Sequence, residues 1–173
     1  MMARTHVAVG AGLCLTAVDA GLFPGDVVSV LAGVSGAAVG ALLPDLDHPK
    51  SMLGRQLPFI SLPLSKIFGH RGITHSLLAV AGVLAAGLHA AEAMPWSPWL
   101  VALVQGAALG YLSHLLADAF NPAGVPLLYP SWKRFRFPLT CRPGGPLESI
   151  LFYSACAGCA LSVFAILPNL RIL

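Results

Sequence analysis

The chain has 173 residues, enough for one compact domain. It is 57% hydrophobic and 10% charged, where a soluble domain carries about 25% charged side chains, so a soluble fold of this size has too little interior to hide its apolar content. The net charge of +3, with no dense basic run, argues against a nucleic-acid partner.

A membrane helix needs about 20 mostly apolar residues, within a range of about 17–25. Five segments meet or approach that length. The first runs from about Val7 to Phe23, with Asp19 near its far end, and the second from Val27 to Leu43. The third runs from His75 to about Met94, the fourth from Pro98 to about Phe120, and the fifth from Ser149 to Leu167. Gly (18) and Pro (14) are frequent, as membrane helices tolerate. Gly36 and Gly40 on the second segment, and Gly106 and Gly110 on the fourth, have the G-x-x-x-G spacing that permits close backbone contact, so these two segments are expected to pack together. Leu57 to Phe68 is apolar but interrupted by Pro58 and Pro63; it is expected to be a loop at or dipping into the interface. The fold class that follows is all-α: a single-domain membrane helix bundle over residues 1–173, with about five transmembrane helices and two long cytoplasmic loops.

Lys and Arg set the expected orientation. Arg4 precedes the first segment. Lys50, Arg55, Lys66 and Arg71 fall between the second and third, and Lys133, Arg134, Arg136 and Arg142 between the fourth and fifth. The short turns at 21–26 and 92–97 carry none, and the tail has only Arg171. The N-terminus and both long loops are therefore expected in the cytoplasm. Trp96, Trp99 and Trp132 lie near segment ends, where interfacial aromatics belong. A rival reading makes the first segment a cleaved signal peptide, since Arg4, the apolar run and Val18-Asp19-Ala20 fit loosely; cleavage would remove His6. Cys156 and Cys159 have C-x-x-C spacing, but inside an apolar segment they read as small packing groups.

On that topology the ionisable residues gather. His6 starts the first segment. Asp45, Asp47 and His48 follow the second, in L-P-D-L-D-H; His70 and His75 lead into the third, in H-R-G-I-T-H-S. His114 and Asp118 end the fourth, four residues apart and so on one helix face, and Glu148 precedes the fifth. This set holds five of the six histidines and three of the five aspartates. Taken singly, each could be a cap or an interfacial polar group. As a one-sided set they mark function, because ionisable groups in a membrane are expensive. Asp19, Asp26, His89 and Glu92 fall on the other side and read as structural or solvated. Imidazole with carboxylate suits zinc and other divalent metals, and a bound metal can lower the pKa of water to about 7. So many ligands exceed one zinc's need, which favours two or more ions, or one ion with dense supporting contacts.

At these residues the chain resembles the YdjM-like membrane-bound proteins described as metal-dependent hydrolases. The likeness rests on Thr5-His6, on Leu43 to His48, on His70 to Ser76 and on the S-H-L-x-A-D-x-x-N-P-x-G run from Ser113 to Gly124. It implies an inner-membrane location and metal-dependent hydrolysis. The His/Asp pattern is also similar to that of zinc-dependent phospholipases C, which favours phosphoester chemistry.

As an enzyme, the chain would draw metal ligands from His6, Asp45, Asp47, His48, His70, His75, His114 and Asp118. Asp45 or Asp47 would bridge two ions, and any uncoordinated carboxylate would act as general base. Arg71 would hold a phosphate oxygen, its fork matching that geometry. The expected partner is membrane lipid, with the 57–68 segment admitting a tail. Two other readings use the same residues: a divalent-metal transporter, which needs a polar path across the bilayer, and a non-enzymatic membrane protein whose polar cluster ties loops to helices.

Overall fold

Ser, Asp and Pro at the segment boundaries set where the helices begin. The structure, a computed structural model, describes residues 1–69, 71–94 and 98–170, with only the backbone at 169. Seven α-helices lie in this range: α1 (Ala3–Asp19), α2 (Val27–Gly40), α3 (Met52–Gln56), α4 (Pro58–Phe68), α5 (Leu77–Glu92), α6 (Pro98–Asp118) and α7 (Pro146–Ile166). Asp26 caps α2 by accepting the Ser29 N–H at 2.8 Å, and Ser51 caps α3 by accepting the Gly54 N–H at 2.8 Å. Ser76 accepts the Ala79 N–H at the start of α5. Pro58 and Pro146 stand in first turns, where no intrahelical N–H is needed.

All five segments read from the sequence are helical. Three stretches are long and apolar enough to cross a membrane: Val27–Asp47, which joins α2 to a 3₁₀ turn at Pro44–Asp47, then α6 and α7. At 17 and 16 residues, α1 and α5 are shorter. The boundaries moved where a cap or proline decided them. The third segment starts at Leu77 behind Ser76, not at His75, and the fifth starts at Pro146, which brings Glu148 inside the helix.

The largest departure is the 57–68 stretch, expected as a loop and found as α4. Pro58 initiates the helix, and Pro63 removes only the one bond its missing N–H would make to Phe59. At 11 residues it rises about 16 Å, too little to span. It buries Ser61 and exposes Phe59 and Ile67. The connection after α6 lacks helix until α7. An antiparallel bridge holds it, with Val125 and Phe135 exchanging N–H to carbonyl bonds of 3.0 and 2.8 Å.

Glycine brings α2 and α6 into backbone contact, as expected. A Cβ at Gly36 would stand 2.0 Å from the Leu103 carbonyl oxygen, one at Gly40 equally close to that of Ala107, and one at Gly110 equally close to that of Ala37. No side chain larger than hydrogen fits these positions without parting the helices. Around this pair, α1 packs on α2, α6 and α7, and α5 packs on α6. Leu15, Val18, Val30 and Ile166 form a buried apolar cluster where α1, α2 and α7 meet. Outward on α7, Ile150, Tyr153, Leu161 and Phe164 are exposed, as lipid-facing side chains would be. The starts of α1 and α7 and the ends of α2 and α6 thus share one end of the bundle.

Candidate metal centre

At that shared end, His6, Asp47, His75, His114 and Asp118 are all fully buried, while Asp45 is partly open. The tight α2–α6 packing puts the α2 C-terminus beside His114. There the Ala41 carbonyl lies 2.7 Å from His114 Nδ1. A carbonyl only accepts, so Nδ1 carries the proton and Nε2 keeps its lone pair. That Nε2 points into the cluster, 3.8 Å from Asp45 Oδ1 and 4.0 Å from Asp118 Oδ2, with no hydrogen-bond partner among the described residues. The His6 ring stacks on His114 with centroids 3.7 Å apart. Its Nε2 lies 3.5 Å from Asp118 Oδ1, and its Nδ1 also lacks a hydrogen-bond partner among the described residues.

His75 ends the 3₁₀ turn Ile73–His75. Its Nδ1 faces Asp47 Oδ2 at 3.3 Å, and its Nε2 faces Asp45 Oδ1 and Asp118 Oδ2, each at 3.9 Å. Asp47 stands behind that ring, where it also accepts the Arg71 N–H at 2.9 Å and the Thr74 hydroxyl. This is a carboxylate–histidine pair of the kind that fixes a metal-binding imidazole from behind. The sequence grouped Asp47 with the ligands; here its Oδ2 faces His75, Arg71 and Thr74, which suits it to orient the His75 ring. Arg71 holds an unusual backbone, φ 60°, sparsely allowed for a residue with a Cβ. Its guanidinium reaches Asp118 Oδ2 at 2.5 Å and the Gly124 carbonyl at 3.4 Å.

Two groups of three ligand atoms lie within 4.8 Å of one another: His6, His114 and Asp118, and then Asp45, His75 and His114. Asp118 turns Oδ1 toward His6 and Oδ2 toward His75, His114 and Arg71, so one carboxylate serves both halves. These residues fit a divalent cation on three counts: the donor set, its burial, and ring nitrogens at His6 Nδ1 and His114 Nε2 with no hydrogen-bond partner among the described residues. Burying such nitrogens unmatched costs about 1–3 kcal/mol each. A cavity of about 320 Å³ opens on the cluster, lined among others by Asp45, His48, Ser51, Arg71, Asp118 and Asn121. His48 therefore lines the approach and belongs to neither group. His70 lies outside the described residues, as does Trp96.

The sequence reading did not single out Tyr111, and it placed Glu148 only ahead of the last helix. Tyr111 donates its hydroxyl to the Thr74 carbonyl at 2.5 Å, tying the turn that carries His75 to α6. It stands three residues before His114 on the same helix face, a spacing that was open to reading. Glu148, expected only to precede the last helix, is buried in its first turn and accepts the Met2 and Gly144 N–H groups at 2.5 Å each. It clasps the start of α1 to α7. His89 and Glu92 are exposed and 3.5 Å apart, in keeping with a solvated pair.

"Inner membrane protein YdjM" of Escherichia coli (strain K12) is 50% identical over 122 residues, covering 68% of this chain and 60% of that protein, and its Shigella flexneri counterpart matches to the same extent. The chain thus spans 60% of the length of these enteric relatives. "Uncharacterized protein YvsG" of Bacillus subtilis (strain 168) is 36% identical over 152 residues, 87% of each chain. No solved structure matches. A family model described as "YdjM inner membrane protein" matches residues 1–170, and the chain belongs to that family.

Proposed function

We propose that the chain is a membrane-embedded, metal-dependent hydrolase of a phosphoester. The observation that supports it best is His114: a backbone carbonyl holds its Nδ1 proton and aims the Nε2 lone pair among Asp45, Asp118 and His75. His6, Asp45, His75, His114 and Asp118 would hold the ion, with Asp47 behind His75. Nitrogen and carboxylate donors together favour zinc. Bound there, a divalent ion supplies Lewis-acid polarisation and lowers the pKa of water.

The chain's own groups divide the remaining work. Asp45, partly open to the cavity, would hold the ion with one carboxylate oxygen and leave the other to take a proton from the attacking water as general base. Arg71 lines the same cavity, and its positive charge there would attract a phosphate oxygen. Placement favours chemistry over transport: α2, α6 and α7 carry no Asp, Glu, Lys, Arg or His in mid-span, so the ionisable groups gather at one end of these helices. The basic residues of the two long connections support a cytoplasmic orientation for this end.

The test is metal content by mass spectrometry on purified protein, paired with hydrolysis of bis(p-nitrophenyl) phosphate. Wild type should hold stoichiometric metal and hydrolyse the ester. His114→Ala and Asp118→Asn should lose both. Metal retained in both variants, or a metal-loaded wild type inert on phosphoesters, would sink the reading.

A further inference from the structure

The polar cavity has an apolar neighbour. A crevice of about 140 Å³ lies between α1, α6 and α7, walled by Val9, Leu13, Leu116, Ala117 and Phe120 among others. The two spaces lie side by side at the end of α6. Ala117 and Phe120 line the apolar one, while their chain neighbours Asp118 and Asn121 line the polar one, and Met1 borders both. From the crevice a second apolar groove of about 230 Å³ continues between α1 and α7. It shares Val9 and Leu13 with the first and runs on past Gly12 to Thr16 and Gly158. Small residues keep it open: a Cβ added at Gly158 would meet no atom within 4 Å.

We infer that the molecule acted on is a membrane lipid with a phosphoester head group, whose head enters the polar cavity while one acyl chain lies along α1 in this groove. The inference rests on the hydrolase reading of the polar cluster. Dimensions favour a lipid tail over a small apolar ligand. Along α1 the apolar lining runs from Val9 to Thr16, a rise of about 10 Å, which seats the part of a chain nearest the head group in a leaflet whose hydrocarbon is about 15 Å deep, half of a core of about 30 Å. The groove also opens toward the bilayer: Leu13 and Leu116 at its rim are 40% and 47% exposed. A tail moving from bilayer to groove gains little, because lipid is as apolar as leucine. The groove therefore positions the lipid more than it binds it, setting the ester bond against the reacting groups. The helix α4, first expected to admit a tail, turns Phe59 and Ile67 outward instead.

Photolabelling tests this. The full chain is placed in phosphatidylcholine vesicles with a trace of phosphatidic acid carrying a diazirine on one acyl chain. Label should concentrate on Val9, Leu13 and Leu116. It should fall several-fold in Gly158→Leu and in Val9→Phe, which fill the groove from α7 and from α1. Both variants should keep full metal content and wild-type rates on bis(p-nitrophenyl) phosphate, which has no tail. Label spread evenly over the outward α7 residues Tyr153, Leu161 and Phe164, unchanged by either variant, would overturn the proposal even with metal-dependent hydrolysis intact. Labelling needs no turnover. Concentrated label on an inert chain would therefore uphold the lipid seat and remove the hydrolase reading alone.

Discussion

At His114 the Ala41 carbonyl settles what the imidazole can do, since an Nδ1 proton given to a carbonyl leaves Nε2 as the free donor atom. His75 has a different backing, a carboxylate, through Asp47. The two imply different losses. Asp47→Asn keeps the shape while removing the charge behind His75, and should weaken metal binding by about 10–100-fold without abolishing it, the range seen when such backing groups are changed. Titration with a chelating competitor reads this directly. An unchanged affinity would mean that Asp47 serves only Arg71 and Thr74. Glu148 belongs to the same scale but a different role. Glu148→Ala strands the Met2 and Gly144 N–H groups, so it should cost about 1–3 kcal/mol of stability, each stranded buried donor being expensive. Its metal stoichiometry at low temperature should stay intact, which separates the clasp from the ligands.

At the scale of elements, the α2–α6 contact positions the centre, because Gly110 lies one turn before His114. Gly110→Ala drives a methyl into the Ala37 carbonyl and must part the helices. A loss of about 1–3 kcal/mol is expected, as for overpacked cores, visible as a lower melting temperature in detergent. Metal affinity should fall with it, since Ala41 and His114 would separate. The start of α2 offers a pH test. The Ser29 N–H donated to Asp26 holds that carboxyl below its ordinary range. A depressed carboxyl stabilises the fold fully above its unfolded value, and that share is lost as pH falls through the folded value. Asp26→Ala should cost about 0.5–2 kcal/mol near neutral pH, as lost caps do, with the gap to wild type closing in acid. Asp26→Asn should keep most of the cap and lose the acid dependence.

For the whole molecule, a bound metal would couple to folding. A ligand that binds only the folded chain adds stability, about 2.7 kcal/mol at a hundred times its dissociation constant. Removing metal with EDTA should therefore lower the melting temperature of wild type and leave His114→Ala unmoved; equal shifts in both would place the chelator's effect elsewhere. Orientation is read by labelling. In a chain lacking its four cysteines, Ser131→Cys should react with an impermeant maleimide in inverted vesicles and stay silent in right-side-out ones.

Much was determined by the sequence alone, because it depends on composition and period. Apolar runs must be helical to satisfy their backbone in lipid. G-x-x-x-G pairs mark where backbones touch, and the one-sided histidines and aspartates announced a polar site before any coordinates. Three things waited for tertiary structure. The prolines at 58 and 63 look like breakers, yet one starts α4 and the other costs it a single bond. Asp45 and Asp47 are equivalent in L-P-D-L-D-H, but the 3₁₀ turn sends one to the cavity and buries the other behind His75. Glu148 read as a residue before a helix until Pro146 moved the start and the packing of α1 on α7 made it a clasp. The reason is common to all three. Side-chain role follows from direction and partner, and these depend on contacts between residues as far apart as His114 and Ala41, or Met2 and Glu148.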